Sequence, residues 1–420
     1  MAAARSCGAS WAVAEPDQTS ASASNARRAK GKRDMIGILR FHALRNPYAG
    51  RGNRCLARNS PNRRRRLELI AGALLAWAAV GQALALETRE GDFTLRNFQF
   101  LSGESLPELR LHYTTLGTPK RDERGRVTNA VLILHGTGGD GHQFLRPQFA
   151  DVLFRPGGLL DPAKYFIVLP DGIGHGKSSK PGDGLRTHFP HYDYADMVAA
   201  QHALLTQGVR VNHLRLAMGT SMGCMQSFVW GETYPDFVDA LMPLACLPVQ
   251  IAGRNRMWRK MTMDAIRNDP AWAGGDYKTE PQMALRTAAD LLILAGSAPR
   301  QMQKSYPTRD AADKYVQDTV AKDLPTLDAN DLLYQVDASR NYDPSPNLEK
   351  ITAPVMWVNS ADDFINPPEL GIAEREAKRL RNGRFVLIPI GDQTHGHGTH
   401  TWAAVWQSYL AELLKRRPPR

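Results

Sequence analysis

Hydrophobic and polar positions from residue 91 onward form two alternating kinds of segment. Short runs of consecutive apolar residues, each closed by a glycine, a proline or polar residues, are typical of parallel strands buried on both faces. Segments with helical spacing of apolar residues lie between them. This alternation predicts a doubly wound, mostly parallel α/β sheet, preceded by a hairpin. The predicted strands are 93–98 and 109–113 in the hairpin, then 130–134, 165–169, 214–218, 353–358 and 384–389, and the predicted helices are 194–205, 222–233, 368–381 and 399–414.

Residues 249–347 interrupt this alternation. The segment has no convincing buried strand, and it has helix-like stretches at 259–267 and 281–294. We therefore predict a helical cap at 249–347, inserted into a sheet domain that comprises 86–248 and 348–420. A cap of this kind both shapes a pocket and excludes water from it.

The formal net charge of +11 lies in one part of the chain. Residues 1–85 carry 15 Lys and Arg against 4 Asp and Glu, so this segment accounts for the whole excess and the remaining chain is balanced. A balanced body lacks the basic surface that nucleic-acid binding requires, and we expect no nucleic acid as a partner. Residues 1–62, which are rich in Ala, Ser, Arg and Asn, are interpreted as a disordered or over-extended N-terminus.

Residues 63–85 have the three parts of a signal peptide. Four arginines at 63–66 are followed by an apolar run at 67–81 and then by Ala83-Leu84-Ala85. The apolar run is too short for a comfortable membrane span. We expect cleavage near Ala85 and an exported, periplasmic or secreted protein without stable membrane insertion, while an uncleaved anchor and a twin-arginine signal stay open.

Four cysteines bear on this interpretation. Cys7 and Cys55 would be lost with the signal peptide, whereas Cys224 and Cys246 would remain in the mature chain. In an oxidising compartment the remaining pair could form a disulfide. We favour the alternative, in which both are small buried hydrophobic residues.

Gly219-Thr220-Ser221-Met222-Gly223 fits the pattern G-x-S-x-G. A predicted buried strand precedes this motif and a predicted helix follows it, which is the strand–turn–helix context of a nucleophile elbow. The glycines permit a tight, strained turn that lifts the serine hydroxyl to the carboxyl end of the strand. Ser221 is therefore the candidate nucleophile.

A serine nucleophile requires a histidine base and an orienting carboxylate, and here the acid is expected to precede the histidine in the chain. The loop after the penultimate predicted strand contains Asp362 and Asp363, and the loop after the last one contains His395, His397 and His400. Position alone does not choose between the two acids or among the three histidines. The histidine spacing is not a standard zinc pattern, so we expect neither a metal nor a cofactor.

An oxyanion hole needs two backbone N–H groups directed at one point. The residue after the nucleophile, Met222, is expected to supply the first. The loop His135-Gly136-Thr137-Gly138-Gly139 is expected to supply the second, because its glycines permit close approach of the backbone to a substrate.

Further motifs extend over most of residues 91–415. They are Asp196-Met197-Val198 with Gln201 and Leu204-Leu205, the elbow motif with Met225-Gln226, Trp230 and Tyr234-Pro235-Asp236, the cap stretches 265–272 and 274–277, and Asp363-Phe364-Ile365-Asn366-Pro367-Pro368. With these motifs the chain resembles the homoserine O-acetyltransferase-like branch of the α/β-hydrolase superfamily. The resemblance implies the α/β-hydrolase fold with an inserted helical cap.

The resemblance also decides the open choices of residue. The family's Asp-x-Leu-Phe-Pro-Pro matches the acid to Asp363, and its Gly-His-Asp matches the base to His397. Its His-x-Leu-Thr-Gly loop assigns the second oxyanion N–H to Thr137. The implied site is therefore a triad of Ser221, Asp363 and His397 with an oxyanion hole formed by Thr137 and Met222.

Departures from the family pattern bear on the reaction. The transferases carry an Arg in the cap that is implied to hold the carboxylate of an amino acid, and the matching residue here is Met263, whose thioether cannot form that contact. Arg254, Arg256 and Arg259 stay open as substitutes. Residue 398 is Gly where the family motif has Asp.

These departures favour ester hydrolysis over acyl transfer. Acetyl-CoA is a cytoplasmic metabolite, whereas this chain is expected to be exported. We therefore expect a serine hydrolase that cleaves small-molecule acyl esters with water as the acceptor. A homoserine O-acetyltransferase-like enzyme that uses acetyl-CoA stays open, as does a non-catalytic binding protein on a hydrolase scaffold. A homodimer is left open as the oligomeric state.

Overall fold

The computed structural model describes residues 86–416. The predicted N-terminus at 1–62 and the predicted signal peptide at 63–85 lie outside the described residues. Among the helices of residues 86–416, none is long and apolar enough to span a bilayer.

One eight-stranded sheet forms the centre of the described chain, with the strand order β1-β2-β4-β3-β5-β6-β7-β8. The first two strands form an antiparallel hairpin, and β2 also pairs antiparallel with β4, whereas all remaining pairs are parallel. The predicted mostly parallel α/β sheet is confirmed. The strands are β1 Arg89–Gln99, β2 Ser105–Leu116, β3 Ala130–Leu134, β4 Phe166–Pro170, β5 Leu216–Thr220, β6 Leu241–Leu244, β7 Val355–Ser360 and β8 Gly383–Ile388.

Helices cover both faces of this sheet, which explains why inner strands such as β3 are apolar at every position. In β3, Leu132 and Leu134 belong to the apolar core on one face, and Val131 and Ile133 belong to the core on the other. The first core includes residues of α2 and α3, and the second includes residues of α1 and α10. The helices are α1 Pro147–Leu153, α2 Tyr194–Ala203, α3 Met222–Thr233, α4 Gly253–Asn268, α5 Gln282–Gly296, α6 Pro299–Ser305, α7 Arg309–Asp323, α8 Ala329–Asp337, α9 Ile372–Ala377 and α10 Ala403–Lys415.

Three of the differences from the sequence expectation concern elements of the central sheet domain and have a local cause. The strand β6 was not predicted, because it has only four residues and Pro243 lies within it, and proline is rare in central strands. The strand β5 ends two residues later than expected, so that it runs directly into the turn at Ser221. The helix expected at 368–381 is broken by Gly371, whose φ is +59°, and α9 is correspondingly short.

The segment between β6 and β7, residues 245–354, is here called the cap segment. Its regular elements are all helical and include α4 to α8. It has an apolar core of its own, to which Trp258, Met263 and Ile266 of α4 contribute together with Leu285 and Leu332. Met263 is fully buried in this core.

Helix α8 attaches the cap segment to the loop that follows β4. The Tyr334 hydroxyl donates to the carbonyl oxygen of Phe189 at 2.8 Å. Asp331 accepts a hydrogen bond from the Gly182 N–H at 2.6 Å, and its second oxygen lies 3.2 Å from the Lys180 ammonium. Burial and the nearby Asp328 raise the pKa of Asp331 to about 6.

Replacing Asp331 with Asn is expected to flatten the pH dependence of stability between about pH 4 and pH 6. The pKa of Asp331 in the folded chain, about 6, lies above that of an unfolded aspartate. The folded form therefore binds the proton more tightly and loses relative stability as the pH rises through this window. An asparagine oxygen still accepts the Gly182 N–H but does not titrate.

Melting temperatures measured from about pH 4 to pH 7 check this prediction. The variant should gain stability relative to the wild type with rising pH, by on the order of 1–3 kcal/mol in total. Asp318→Asn removes a carboxylate from the exposed face of α7, beside Lys314, and serves as the matched control. A difference between Asp331→Asn and the wild type that stays constant over this pH range would contradict the assignment.

A disulfide joins Cys224 and Cys246, whose Cα atoms are 5.8 Å apart. Our preference for an unbridged pair was therefore wrong, although both residues are fully buried as expected. Cys224 lies in the first turn of α3 and Cys246 follows β6. The bridge thus ties the helix that begins at the elbow to the neighbouring strand end.

Replacing both cysteines with alanine is expected to lower the free energy of unfolding by about 2–4 kcal/mol, because the bridge restricts the unfolded chain. Urea unfolding of the oxidised wild type and the double variant measures this difference. A reductant should shift the midpoint of the wild type alone. Equal midpoints for the oxidised wild type and the variant would contradict the prediction.

Candidate active site

Ser221 occupies a strained turn between β5 and α3. Its φ of +54° is unusual for a residue with a side chain, and the neighbouring glycines make the turn possible. A Cβ at Gly219 would lie 2.2 Å from the carbonyl oxygen of Gly223, and a Cβ at Gly223 would lie 2.0 Å from that of Leu134. The turn therefore packs directly on the end of β3 and presents Ser221 at the carboxyl edge of the sheet.

A continuous chain of hydrogen bonds links the three residues that the resemblance implied. His397 Nε2 lies 2.8 Å from Ser221 Oγ, and His397 Nδ1 lies 2.9 Å from Asp363 Oδ2. A carboxylate only accepts, so the proton of the neutral imidazole belongs on Nδ1 and Nε2 is left to accept from the serine hydroxyl. This arrangement can activate a serine hydroxyl for attack on a carbonyl carbon.

Asp363 is held in the charged form by its surroundings. Its carboxylate accepts hydrogen bonds from the N–H groups of Ile365 and Asn366 and from the Asn366 side-chain amide, as well as from His397. Burial raises the pKa of Asp363, but His397 and these hydrogen bonds outweigh it, so the pKa lies below its ordinary value. The carboxylate thus remains an acceptor that fixes the orientation of the imidazole.

Asn366 was not singled out from the sequence. Its amide donates to Asp363 Oδ2 at 2.9 Å and to the carbonyl oxygen of Ala245 at 3.1 Å, and so connects the acid to the end of β6. A signal was present, because Asn366 stands where the family's Asp-x-Leu-Phe-Pro-Pro has an apolar Phe. A side-chain amide at a position that is apolar in the family indicates that a hydrogen-bond partner lies nearby.

The neighbouring Asp362 has a different position. Its Oδ2 accepts from the Thr394 hydroxyl at 2.8 Å and from the Gly396 N–H at 3.0 Å, and its Oδ1 accepts from the Ser360 hydroxyl. The two acids of the loop after β7 therefore have different structural roles. Asp363 faces the imidazole of His397, whereas Asp362 anchors the backbone loop that carries His397.

The other two histidines of that loop do not contact Ser221. His395 stacks on Trp402 with ring centroids 4.1 Å apart. His400 is enclosed beside His397, and burial with the proximity of His397 lowers the pKa of His400 to about 3, so it is neutral. Within residues 86–416 there is no group of three or more His, Cys, Asp or Glu side chains placed to hold a metal ion.

The loop after β3 lies against the elbow. A Cβ at Gly136 would be 3.5 Å from the Cβ of Ser221. Among the described residues, neither the N–H of Thr137 nor that of Met222, the first residue of α3, forms a hydrogen bond. His135 supports the loop, because its Nε2 accepts the Gly172 N–H at 2.9 Å. Two free N–H groups beside the serine are what a developing oxyanion requires.

The family of the chain follows from a match of its sequence to known families. Residues 129–392 match the family described as the alpha/beta hydrolase fold. The chain belongs to the α/β-hydrolase fold family. Within it, the chain falls in the homoserine O-acetyltransferase-like branch, as its relatives show.

Two sequence relatives support this placement, and one solved structure shares the fold. The chain is 30% identical over 306 residues to a probable acyltransferase of Methanothermobacter thermautotrophicus, a match that covers 73% of this chain and 91% of that protein. It is 28% identical over 328 residues to a homoserine O-acetyltransferase of Thermobifida fusca, a match that covers 69% of this chain and 81% of that protein. The structure of an acetylester hydrolase from Corynebacterium glutamicum superposes with a TM-score of 0.67 at 21% identity. This superposition covers 78% of this chain and 96% of that protein. The α/β-hydrolase described here is therefore an enzyme of the hydrolase and acyltransferase class.

Proposed function

We propose that this enzyme is a serine hydrolase that cleaves carboxylic esters through an acyl-enzyme formed on Ser221. The observation that supports it most directly is the unbroken chain of hydrogen bonds from Ser221 through His397 to Asp363. The strained elbow adds to this support, because strain of this kind in a non-glycine residue is concentrated at functional sites. Small-molecule acyl esters are the proposed substrates.

In the proposed mechanism each group of the site has a defined role. His397 takes the proton of Ser221 as Oγ forms a bond to the acyl carbon and the carbonyl electrons move onto oxygen. The N–H groups of Thr137 and Met222 stabilise that oxyanion. His397 then gives the proton to the departing alcohol as the ester bond breaks. Water attacks the acyl-enzyme with His397 again as base, and Ser221 leaves with its proton restored.

Hydrolysis is favoured over acyl transfer by the surroundings of Met263. This residue matches the position at which the transferases are implied to carry an Arg, yet here it is buried in the apolar core of the cap segment. A thioether in that core provides no charge for an amino-acid carboxylate. Water needs no such contact, because it requires only the base His397.

Acyl transfer from acetyl-CoA is the second candidate. The specific observation in its favour is that the relatives with the highest sequence identity above are named as acyltransferases. Both reactions share the acyl-enzyme and differ only in the second nucleophile. A non-catalytic binding protein is the third candidate, and Ser221→Ala separates it from the other two.

The deciding experiment follows thiol release from acetyl-CoA with and without homoserine, beside hydrolysis of p-nitrophenyl acetate. We expect ester hydrolysis that Ser221→Ala abolishes, and no thiol release that depends on homoserine. Thiol release that depends on homoserine would make the enzyme a transferase. Absence of both activities in the wild type would favour the binding protein.

The site of action is proposed to be outside the cytoplasm, with a signal peptide that ends near Ala85. Two observations support this proposal, the arginine block with its apolar run at 63–81 and the disulfide between Cys224 and Cys246. Disulfides persist in oxidising compartments. The N-terminus of the protein recovered from the cell envelope tests it, since a chain that retains residues 1–85 in the cytoplasm would contradict export.

A further inference from the structure

The two N–H groups of the proposed oxyanion hole lie on separate segments of the chain, here called the donor segments. Thr137 belongs to the first, residues 135–139 after β3, and Met222 belongs to the second, residues 220–222 at the end of β5. The pairing of β3 with β5 ends before either donor segment begins. The sheet therefore does not by itself fix the distance between the two N–H groups, although both must point at one position before the reaction starts.

The side-chain amide of Gln143 joins the two donor segments. Its Oε1 accepts the Gly136 N–H at 3.4 Å, and its Nε2 donates to the Thr220 hydroxyl oxygen at 2.8 Å. A backbone N–H only donates, so the amide oxygen has to face Gly136 and the NH2 group is left for Thr220. Gly136 immediately precedes Thr137, and Thr220 immediately precedes Ser221. Among residues 86–416, no other side chain forms hydrogen bonds to both donor segments.

The turn that carries Thr137 is shaped around the amide oxygen of Gln143. The Gly139 N–H donates to the carbonyl oxygen of Gly136 at 3.0 Å and closes the turn, and Gly138 within it has a φ of +73°. A Cβ at Gly139 would lie 2.7 Å from Gln143 Oε1. The lack of a side chain at Gly139 thus lets the amide approach the turn this closely.

The backbone of Gln143 has a firm support. The residue lies in the short helical turn Gly141–Leu145, and the Gly141 N–H donates to the buried Asp171 carboxylate at 2.8 Å. The next residue, Phe144, is fully buried in the apolar core on one face of the sheet. An amide that extends from this support holds the two donor segments at a set separation.

We infer that Gln143 is a positioning residue of the oxyanion hole, which holds the Thr137 N–H in place relative to Ser221 and Met222. This inference rests on the proposed reaction at Ser221 and adds a residue that neither the triad nor the pair of donors includes. Gln143 acts through its two hydrogen-bonded partners rather than by touching the substrate. Its loss should therefore weaken an interaction that forms only in the transition state and leave binding of the ester nearly unchanged.

Gln143→Met is the first test, because methionine has a similar length and forms no strong hydrogen bond. We expect kcat for p-nitrophenyl acetate to fall by about 10- to 100-fold, with KM changed by less than about 3-fold. Gln148→Met makes the same chemical change in α1 and should change kcat by less than about 2-fold. An unchanged kcat for Gln143→Met, or a loss that appears only in KM, would overturn the inference.

The Thr220 end of the link gives a second test, which does not require Gln143→Met to fold well. Thr220→Val removes the acceptor and Thr220→Ser keeps it, so only the valine variant should lose kcat, by about 3- to 10-fold. In Gln143→Met protein the link is already broken, and adding Thr220→Val should lower kcat no further. Losses that multiply in the double variant, or equal losses for valine and serine, would overturn the inference.

A single-turnover reaction separates this inference from ester hydrolysis. With diethyl p-nitrophenyl phosphate, Ser221 Oγ bonds to phosphorus, its proton passes to His397, p-nitrophenolate leaves, and the phosphoryl oxygen takes the place of the oxyanion. The size of the p-nitrophenolate burst counts the active sites and corrects kcat for misfolded protein. The rate of the burst reports on the oxyanion hole without turnover.

The two proposals can therefore fail separately. A burst rate that Gln143→Met lowers by about 10-fold or more, in an enzyme without esterase activity, would uphold the inference and reject hydrolysis. Equal burst rates in the wild type and in Gln143→Met would overturn the inference even if ester hydrolysis is established.

Discussion

Replacing His397 with alanine is expected to lower kcat/KM for a neutral acetyl ester on the order of 10³-fold or more, by analogy with other serine triads. The imidazole contacts both Ser221 and Asp363, at 2.8 Å and 2.9 Å, so its loss removes both the base and the link to the acid. Steady-state hydrolysis of p-nitrophenyl acetate measures the effect. The residual activity that remains would come from the oxyanion hole and from substrate binding.

The same loop supplies a matched control for this prediction. His395→Ala removes an imidazole that stacks on Trp402 and does not contact the serine, and it should change kcat/KM by less than about 10-fold. Far-UV spectra and melting temperatures show whether each variant is folded. If His395→Ala lost the activity and His397→Ala kept it, the base would be His395 and the proposed triad would be wrong.

The adjacent aspartates Asp363 and Asp362 are expected to differ strongly in their effect on kcat. Asp363→Asn is expected to lower kcat on the order of 10³- to 10⁴-fold, as the corresponding change does in other serine triads. Both carboxylate oxygens of Asp363 now face donors, because Oδ2 accepts from His397 Nδ1 and the Asn366 amide and Oδ1 accepts from the N–H groups of Ile365 and Asn366. The amide nitrogen of an asparagine therefore meets donors in either orientation. Where it faces His397, the imidazole is no longer held in the productive tautomer.

Asp362→Asn is expected to have a much smaller effect, about 10-fold or less in kcat. An asparagine oxygen can still accept from Thr394 or from the Gly396 N–H, so the loop that carries His397 keeps part of its support. Parallel measurement of both variants over a range of pH tests the assignment. Equal losses in kcat, or a larger loss for Asp362→Asn, would contradict the division between the two acids.

The sequence was sufficient to predict the sheet wherever the apolar pattern was unambiguous. Runs such as 130–134 are apolar at every position because helices cover both faces of the sheet, and this pattern predicts a buried strand directly. The strand β6 escaped detection because four residues that include Pro243 do not produce this pattern. Its pairing with β5 and β7 stabilises it instead, and such long-range contacts are invisible in a local pattern.

The candidate site was predictable in its residue types and chain order, but not in its contacts. Asp362 and Asp363 are adjacent on one loop, and only the three-dimensional path of that loop sends one toward His397 and the other toward Gly396. Family resemblance made the choice that position could not make. Asn366 went unassigned, because its significance depends on the partners that surround it.

The insertion of the cap segment between β6 and β7 also bears on how such an enzyme diverges. The chain leaves the sheet after β6 and returns at β7, and the two strands pair directly despite the intervening residues 245–354. Because the inserted helices have a core of their own, mutations that reshape it need not disturb the strands that present Ser221, Asp363 and His397. New substrate preferences can therefore evolve in this segment while the reaction chemistry is inherited unchanged, and exchanging it between relatives is a rational route to new specificity.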